Sequence, residues 1–217
     1  MVNRLLTPYL NEAVLCLQAG AATAQQIDTA MVDYGWPMGP FTLMDFLGLD
    51  VCYDVGQYLY SQYGDRMEAA LLFEQLVKAG RLGEKSGAGF YGYGDNTDEP
   101  VRQMVARLNG GRRLGEFRPE RLMYLLINEA AYAVQENIAD VRDIDMAMIA
   151  GTGMTVDGER LGPLALADQL GLDTLVAGLE DFEKKYGQRF HPATKLYELV
   201  KEGHTGVKSK AGFLEYV

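Results

Sequence analysis

The side chains able to do chemistry in this chain are few, and their spacing says more than their number. Two histidines, His191 and His204, are the residues whose ordinary pKa suits proton transfer near neutral pH. His191 precedes Pro192 and reads as a helix-entry residue, while His204 follows the glycine expected to close a helix. No H-E-x-x-H, paired cysteines or nucleophile elbow supplies either with a partner. Cys16 and Cys52 stand 36 positions apart, a spacing that fits reduced core thiols and no metal or redox motif. Gly83-Glu-Lys-Ser-Gly-Ala-Gly89 could cradle phosphate, since Gly87-Ala-Gly89 is a G-x-G. A dinucleotide fingerprint, however, follows a strand and opens a helix. This one follows an expected helix and runs into Phe90, Tyr91 and Tyr93, so the glycines are expected to serve a sharp turn. Lys85 and Ser86 are its candidate ligand contacts. Asp45 and Asp168 could be catalytic carboxylates, but each sits beside Gly-Leu-Asp and so occurs twice. A structural role is expected instead, accepting hydrogen bonds from backbone or tyrosine.

The elements that would position these residues also come in pairs. Asn11-Glu12-Ala13 recurs as Asn128-Glu129-Ala130, and Ile27-Asp28 as Ile144-Asp145, 117 residues on. Gly39-Pro40, Asp45 and Gly48-Leu49-Asp50 recur as Gly162-Pro163, Asp168 and Gly171-Leu172-Asp173, 123 residues on. The offset grows because the second copy carries six extra residues near Met154 to Arg160. Across the two offsets, 34 of 85 aligned positions are identical, far above chance. A period near 120 is too long for a solenoid, so each copy is expected to be a small helical domain. Leu5, Leu6, Tyr9, Leu10, Ala13, Val14 and Leu17 make one apolar face at helical spacing. Gly20 is placed to end that helix, and Thr23-Ala-Gln-Gln26 reads as a capping box opening the next. The second copy puts Asp140 and Asp143 in the Thr23 and Gln26 positions. Asp50 and Asp173 are expected as N-caps of a long helix reaching Tyr63 and Tyr186. Another helix should end near Gly80 and Gly203. The class is all-α, with copy one over 1–97, a linker over 98–118 and a degenerate copy two over 119–217.

Composition narrows the partners. Thirty acids against 20 bases give a formal charge of −10, which repels nucleic acid and anionic membranes. Apolar residues at 48% and charged residues at 23% fit a globular domain. No apolar run is long enough to span a bilayer. Six arginines between Arg102 and Arg121 form a local basic stretch, expected to be a solvated linker held open by its own charge.

Taken together the motifs resemble the C-terminal part of L-3-hydroxyacyl-CoA dehydrogenase. The likeness rests on Val2-Asn3-Arg4-Leu5-Leu6, Asn11-Glu12-Ala13, Ile27-Asp28 and Gly35-Trp-Pro-Met-Gly-Pro-Phe41. It continues through Asp45, Gly48-Leu-Asp50 and Gly83-x-Lys85-x-Gly87-x-Gly89-Phe90-Tyr91. Tandem copies look like the multifunctional fatty-acid oxidation α-subunit. The resemblance implies a helical fold like the C-terminal domain of 6-phosphogluconate dehydrogenase, with no Rossmann domain in this chain. It also implies a parent enzyme that oxidises L-3-hydroxyacyl-CoA with NAD, whose His–Glu pair lies in an upstream nicotinamide domain. Asn3 would then play a supporting catalytic role, with Met38, Pro40, Phe41 and Lys85 facing substrate. No cofactor or metal ligand is expected here. Copy two has Glu120 in place of Asn3 and Lys210 in place of Gly87, so its site is expected to be lost.

The family further implies acyl-CoA as the shared substrate, a thiolase subunit as a partner, and a cytoplasmic or organellar-matrix location. Single-copy relatives pair through these helical domains, so copies one and two are expected to form an intramolecular pseudo-dimer. Leu6, Leu10 and Val14 would be buried in it, with Leu126, Ala130 and Val134 opposite. The leading expectation is a substrate-side and scaffold fragment, inactive alone. The alternative is a stand-alone helical interaction module without a ligand.

Overall fold

The computed structural model describes residues 1–156 and 158–217. Among them are eleven α-helices and four short 3-10 turns, with isolated bridges in place of strands. Copy one runs α1 (Val2–Gln18), α2 (Ala24–Tyr34), α3 (Pro40–Leu47), α4 (Leu49–Tyr63) and α5 (Leu71–Lys78), followed by α6 (Glu99–Asn109). Copy two runs α7 (Pro119–Gln135), α8 (Val141–Thr152), α9 (Pro163–Leu170), α10 (Leu172–Tyr186) and α11 (Thr194–Lys201). After α5, and again after α11, a 3-10 turn leads into a tight glycine-rich strap containing Phe90 or Phe213. The extra segment of copy two, Met154 to Arg160, includes residue 157, which lies outside the described residues.

Local chemistry sets most helix boundaries as expected. Gly20 ends α1 with φ +65°, a conformation costly for any residue with a Cβ. The Thr23 capping box is complete: its hydroxyl accepts from the Gln26 amide while the Gln26 side chain accepts from the Thr23 amide. Asp140 caps α8 through the Asp143 amide. Two expectations fail. Asp50 and Asp173 are not N-caps but lie inside the first turns of α4 and α10. The caps are Gly48 and Gly171, with φ 98° and 90°. One glycine both closes α3 and opens α4, a reversal that needs the left-handed half of backbone space, so an aspartate cannot stand there. The 98–118 stretch is a coil only in part: 110–118 lies outside any helix and is exposed apart from half-buried Phe117. Asp98 and Glu99 neutralise Arg102 at one helical turn, and α6 forms with Val101 and Asn109 buried.

The chain divides into two compact units, Thr7–Leu122 and Met1–Leu6 with Met123–Val217. In the first, Phe41 and Phe90 meet edge to face at 4.6 Å, and Phe73 lies 6.1 Å from Phe90. In the second, Phe182 and Phe190 lie 5.3 Å apart, with Tyr124 at 5.8 Å. The aromatic bulk has moved to other positions of the repeat, while Leu164 and Leu196 replace Phe41 and Phe73. Each core keeps an aromatic cluster, built from different positions of the repeat. Leu6, Leu10, Val14, Leu126 and Ala130 are buried, and Val134 is half-buried.

Candidate functional site

Two buried carboxylates hold copy one's loops in place. Asp45, on α3, accepts from the amides of Phe90 (2.8 Å) and Tyr91 (3.0 Å) and from the Tyr93 hydroxyl (2.9 Å). Burial pushes its carboxyl above the usual aspartate range, only partly opposed by these donors. Burial likewise raises the Tyr91 and Tyr93 hydroxyls well above the usual tyrosine range. Asp28, on α2, accepts from the Phe41 amide (2.8 Å), the Thr42 amide (3.0 Å), the Thr42 hydroxyl and the Tyr91 hydroxyl. It thereby fixes the N-terminus of α3, where free amides favour an anionic partner. The glycines beside these acids are there for space. A Cβ on Gly39 would lie 2.2 Å from the Asp28 carboxyl carbon, and one on Gly89 2.0 Å from Asp45 Oδ1. A Cβ on Gly83 would lie only 2.1 Å from the Asp45 carbonyl oxygen, so the turn packs there without room for one.

Copy two repeats the device. Asp168 accepts from Phe213, Leu214 and the Tyr216 hydroxyl, and Asp145 from Leu164 and Ala165. The structural role expected of Asp45 and Asp168 is what the geometry shows. Asp28 was legible only as a repeated residue; its function as a loop anchor depends on a partner 13 to 63 residues away.

The Gly83–Gly89 turn is not a phosphate cradle. Its amides are already spent inside the turn, Gly83 on Ala88, Gly87 on Glu84 and Gly89 on Tyr91. The glycine amides of this turn are therefore not free to receive a phosphate. Arg81 clamps the strap from below, donating to the carbonyls of Gly89, Tyr91 and Thr97. Burial raises the Cys52 thiol to about 11, helped by the charges of Asp50 and Asp45, so it stays protonated at neutral pH.

The expected site residues fall in different places. Met38 is half-buried, whereas Pro40 and Phe41 are buried and hold the α3 entrance without facing solvent. Lys85 is exposed and ion-paired with Asp50 at 2.6 Å, which lowers the Asp50 pKa. All four belong to the Thr7–Leu122 unit, and Asn3 belongs to the other. Asn3 is exposed on the first turn of α1. The neighbouring Arg4 is buried and donates to Glu129 and Glu136, both at 2.7 Å.

That contact has a mirror. Arg121 stands 117 residues after Arg4, and Glu129 stands 117 after Glu12. Arg121 donates to Glu12, from Nε at 3.1 Å, within the Thr7–Leu122 unit. The arginine of each copy thus pairs with the glutamate of the other. The asparagines of the same motif act locally: Asn11 bridges the Glu68 carbonyl and the Ala70 amide, and Asn128 bridges His191 and Ala193, all at 2.8 Å. The His191 carbonyl, not its imidazole, is the group in use there. Among the described residues no cluster could hold a metal ion, and no helix is long and apolar enough to cross a membrane.

The family described as 3-hydroxyacyl-CoA dehydrogenase, C-terminal domain, matches residues 1–93 and 117–216. A protein of Shewanella amazonensis called fatty acid oxidation complex subunit alpha is 37% identical over 212 residues, covering 94% of this chain and 30% of its own length. A protein of the same title from Idiomarina loihiensis is 38% identical over 209 residues, covering 93% and 29%. The chain therefore spans under a third of these relatives. The structure of 3-hydroxybutyryl-CoA dehydrogenase from Escherichia coli K12 superposes with a TM-score of 0.76 at 25% identity, over 94% of this chain and 60% of that one. The chain belongs to the family of 3-hydroxyacyl-CoA dehydrogenase C-terminal domains.

Proposed function

We propose that this chain is the substrate-side and scaffold part of an NAD-dependent L-3-hydroxyacyl-CoA dehydrogenase of fatty-acid β-oxidation, acting with a nicotinamide-binding domain that holds the catalytic His–Glu pair. The observation that carries the reading is the presentation of Asn3. It is exposed on a helical turn whose next residue, Arg4, is anchored by two carboxylates. An amide on an immobilised turn can donate and accept hydrogen bonds at a reacting centre without adding charge. Copy two carries Glu120 at this place and is a support without a site. Met38 and Lys85 offer contact surface to an acyl-CoA, and Pro40 and Phe41 shape the loop from beneath.

Residues 1–97 and 119–217 are taken as the two domain copies, joined by 98–118, and as an intramolecular counterpart of a two-fold dimer. The reciprocal Arg4–Glu129 and Arg121–Glu12 pairs support this, since an isologous contact uses one residue pair twice. Light scattering should find a monomer. We take a thiolase subunit as its partner and the cytoplasm, or an organellar matrix, as its location, a reading in keeping with relatives named as subunits of a fatty acid oxidation complex.

Calorimetric titration with acetoacetyl-CoA tests the reading at low and moderate salt. Salt-sensitive binding weakened by Asn3→Ala and Lys85→Ala supports it. No heat at either salt, or binding indifferent to both substitutions, favours a helical interaction module without a ligand.

A further inference from the structure

We propose that copy one carries a binding site for a phosphate monoester with an apolar body, in the cavity between the end of α1, the start of α2 and α6. Arg112, Arg113 and Asn109 receive the phosphate.

The cavity lies wholly within the Thr7–Leu122 unit and measures about 670 Å³, a usual size for a small-molecule site. Leu17, Ala21, Val101 and Val105 give it an apolar wall. None of Met38, Pro40, Phe41 and Lys85 lines it, so the site goes beyond the acyl-CoA surface proposed above.

Asn109 is the first sign of a ligand. It is 7% exposed, and its Oδ1 accepts from the Gly111 amide at 2.8 Å. That bond leaves Nδ2 beside Gly20, another residue of the cavity wall, where a Cβ would come within 2.7 Å of it. Among the described residues Nδ2 meets no acceptor. A buried donor without a partner is costly, and a ligand oxygen in the cavity would remove that cost.

The arginines are the second. The turn after α6 has a fixed backbone: the amides of Gly111, Arg112 and Leu114 donate to the carbonyls of Ala106, Asn109 and Ala19 at 2.9, 3.2 and 2.7 Å. From it Arg112 and Arg113 line the cavity with exposed guanidinium groups, and among the described residues no carboxylate pairs with either. Arg102, by contrast, is engaged by Asp98 and Glu99, which also neutralises the cavity's aspartate. Two unpaired forks in a chain of formal charge −10 match a phosphate monoester dianion in charge and geometry.

The N-terminus of α2 opens onto the same cavity. The Ala24 and Gln25 amides take no acceptor, and neither the cap nor the first turn holds a carboxylate. Copy two shows the alternative, since Asp140 and Asp143 supply negative charge to α8 from within the chain. Copy one has Thr23 and Gln26 in those positions, which leaves the positive helix end to an external anion.

The probe is 1-naphthyl phosphate, titrated with the whole chain and read by fluorescence anisotropy. Saturable binding is expected, weakened about tenfold or more by Arg112→Gln and Arg113→Gln combined. Both side chains are exposed, so the variant should melt with the parent. Gln26→Glu keeps the capping box but returns a charge to the helix end. It should weaken binding several-fold without lowering the melting temperature. Inorganic phosphate should compete weakly, and 1-naphthol should not. Absence of saturation overturns the proposal, as does binding that survives the double substitution. Naphthol binding as tightly as its phosphate would make this an apolar pocket without an anion site, against the proposal. Inorganic phosphate binding as tightly as the naphthyl ester would leave the apolar wall unused, and overturns the ligand class. These variants leave Asn3 and Lys85 untouched, so failure here is separable from failure of the acyl-CoA reading.

Discussion

Copy one and copy two share their carboxylate latches and differ in almost everything those latches present. Asp28 and Asp45 have working counterparts in Asp145 and Asp168, and Asn11 in Asn128, each with the same backbone partners. Asn3, Tyr91 and Arg81 are replaced by Glu120, Leu214 and His204. Buried polar groups are expensive to leave unpaired, so they persist as sets. Exposed ones answer to a ligand or a partner, and change when that is lost.

The largest expected effect tests the pairs that the copies exchange. Arg121→Met leaves Glu12, which is fully buried, without its guanidinium and should cost about 3–5 kcal/mol in urea unfolding. Arg4→Met should cost less, because Glu136 is partly exposed and can rehydrate. A loss below about 1 kcal/mol at Arg121 would break the idea that these pairs organise the fold. Next come Gly89→Ala and Gly212→Ala. Each drives a Cβ to within 2.0 Å of its latch oxygen and should cost about 2–3 kcal/mol. Equal losses would show both straps seated alike, whereas a tolerated Gly212→Ala would show copy two's strap to be loose. Smaller still, Tyr91→Phe removes a hydrogen bond to Asp28 and should cost about 1 kcal/mol.

Stability against pH gives the finest test. Burial raises the folded-state pKa of Asp45, Asp145 and Asp168 above the ordinary value of 3.8. The folded state then binds more protons than the unfolded chain in the window above 3.8. These groups contribute stability at low pH that is lost as pH rises through their folded values. Asp168→Asn should flatten that part of a urea-midpoint series measured from pH 4 to 7. An unchanged slope would show that the hydrogen bonds outweigh burial.

The helices and their pairing were legible in the sequence because they depend on spacing, caps and repetition. Thr23, Gln26, Gly20 and the Gly39-Pro40 step act within a few residues of themselves. The repeat also marked Asp45 and Asp168 as structural, since a catalytic group has no reason to appear in both copies. What escaped was non-local. Arg4 and Arg121 repeat as clearly as Asp45, yet nothing within one copy says that each takes its glutamate from the other. The arginine-rich stretch read as open coil because its acids, Asp98 and Glu99, act one turn away from Arg102 and become visible only once the helix exists. Asp50 failed as a cap for a steric reason: the α3–α4 corner leaves room for one residue, and that residue needs positive φ.

The traded first turns carry a consequence for synthesis. The unit containing Met1–Leu6 is otherwise built from Met123 onward, so the turn bearing Asn3 and Arg4 leaves the ribosome long before its neighbours. At roughly 5–20 residues per second, the wait for Glu129 is on the order of ten seconds. Until then Arg4 lacks Glu129 and Glu136, the two carboxylates that anchor it in the folded chain. Such a chain reaches its native state late and all at once, and a nascent polypeptide stalled within α7 should be the form most readily captured by chaperones.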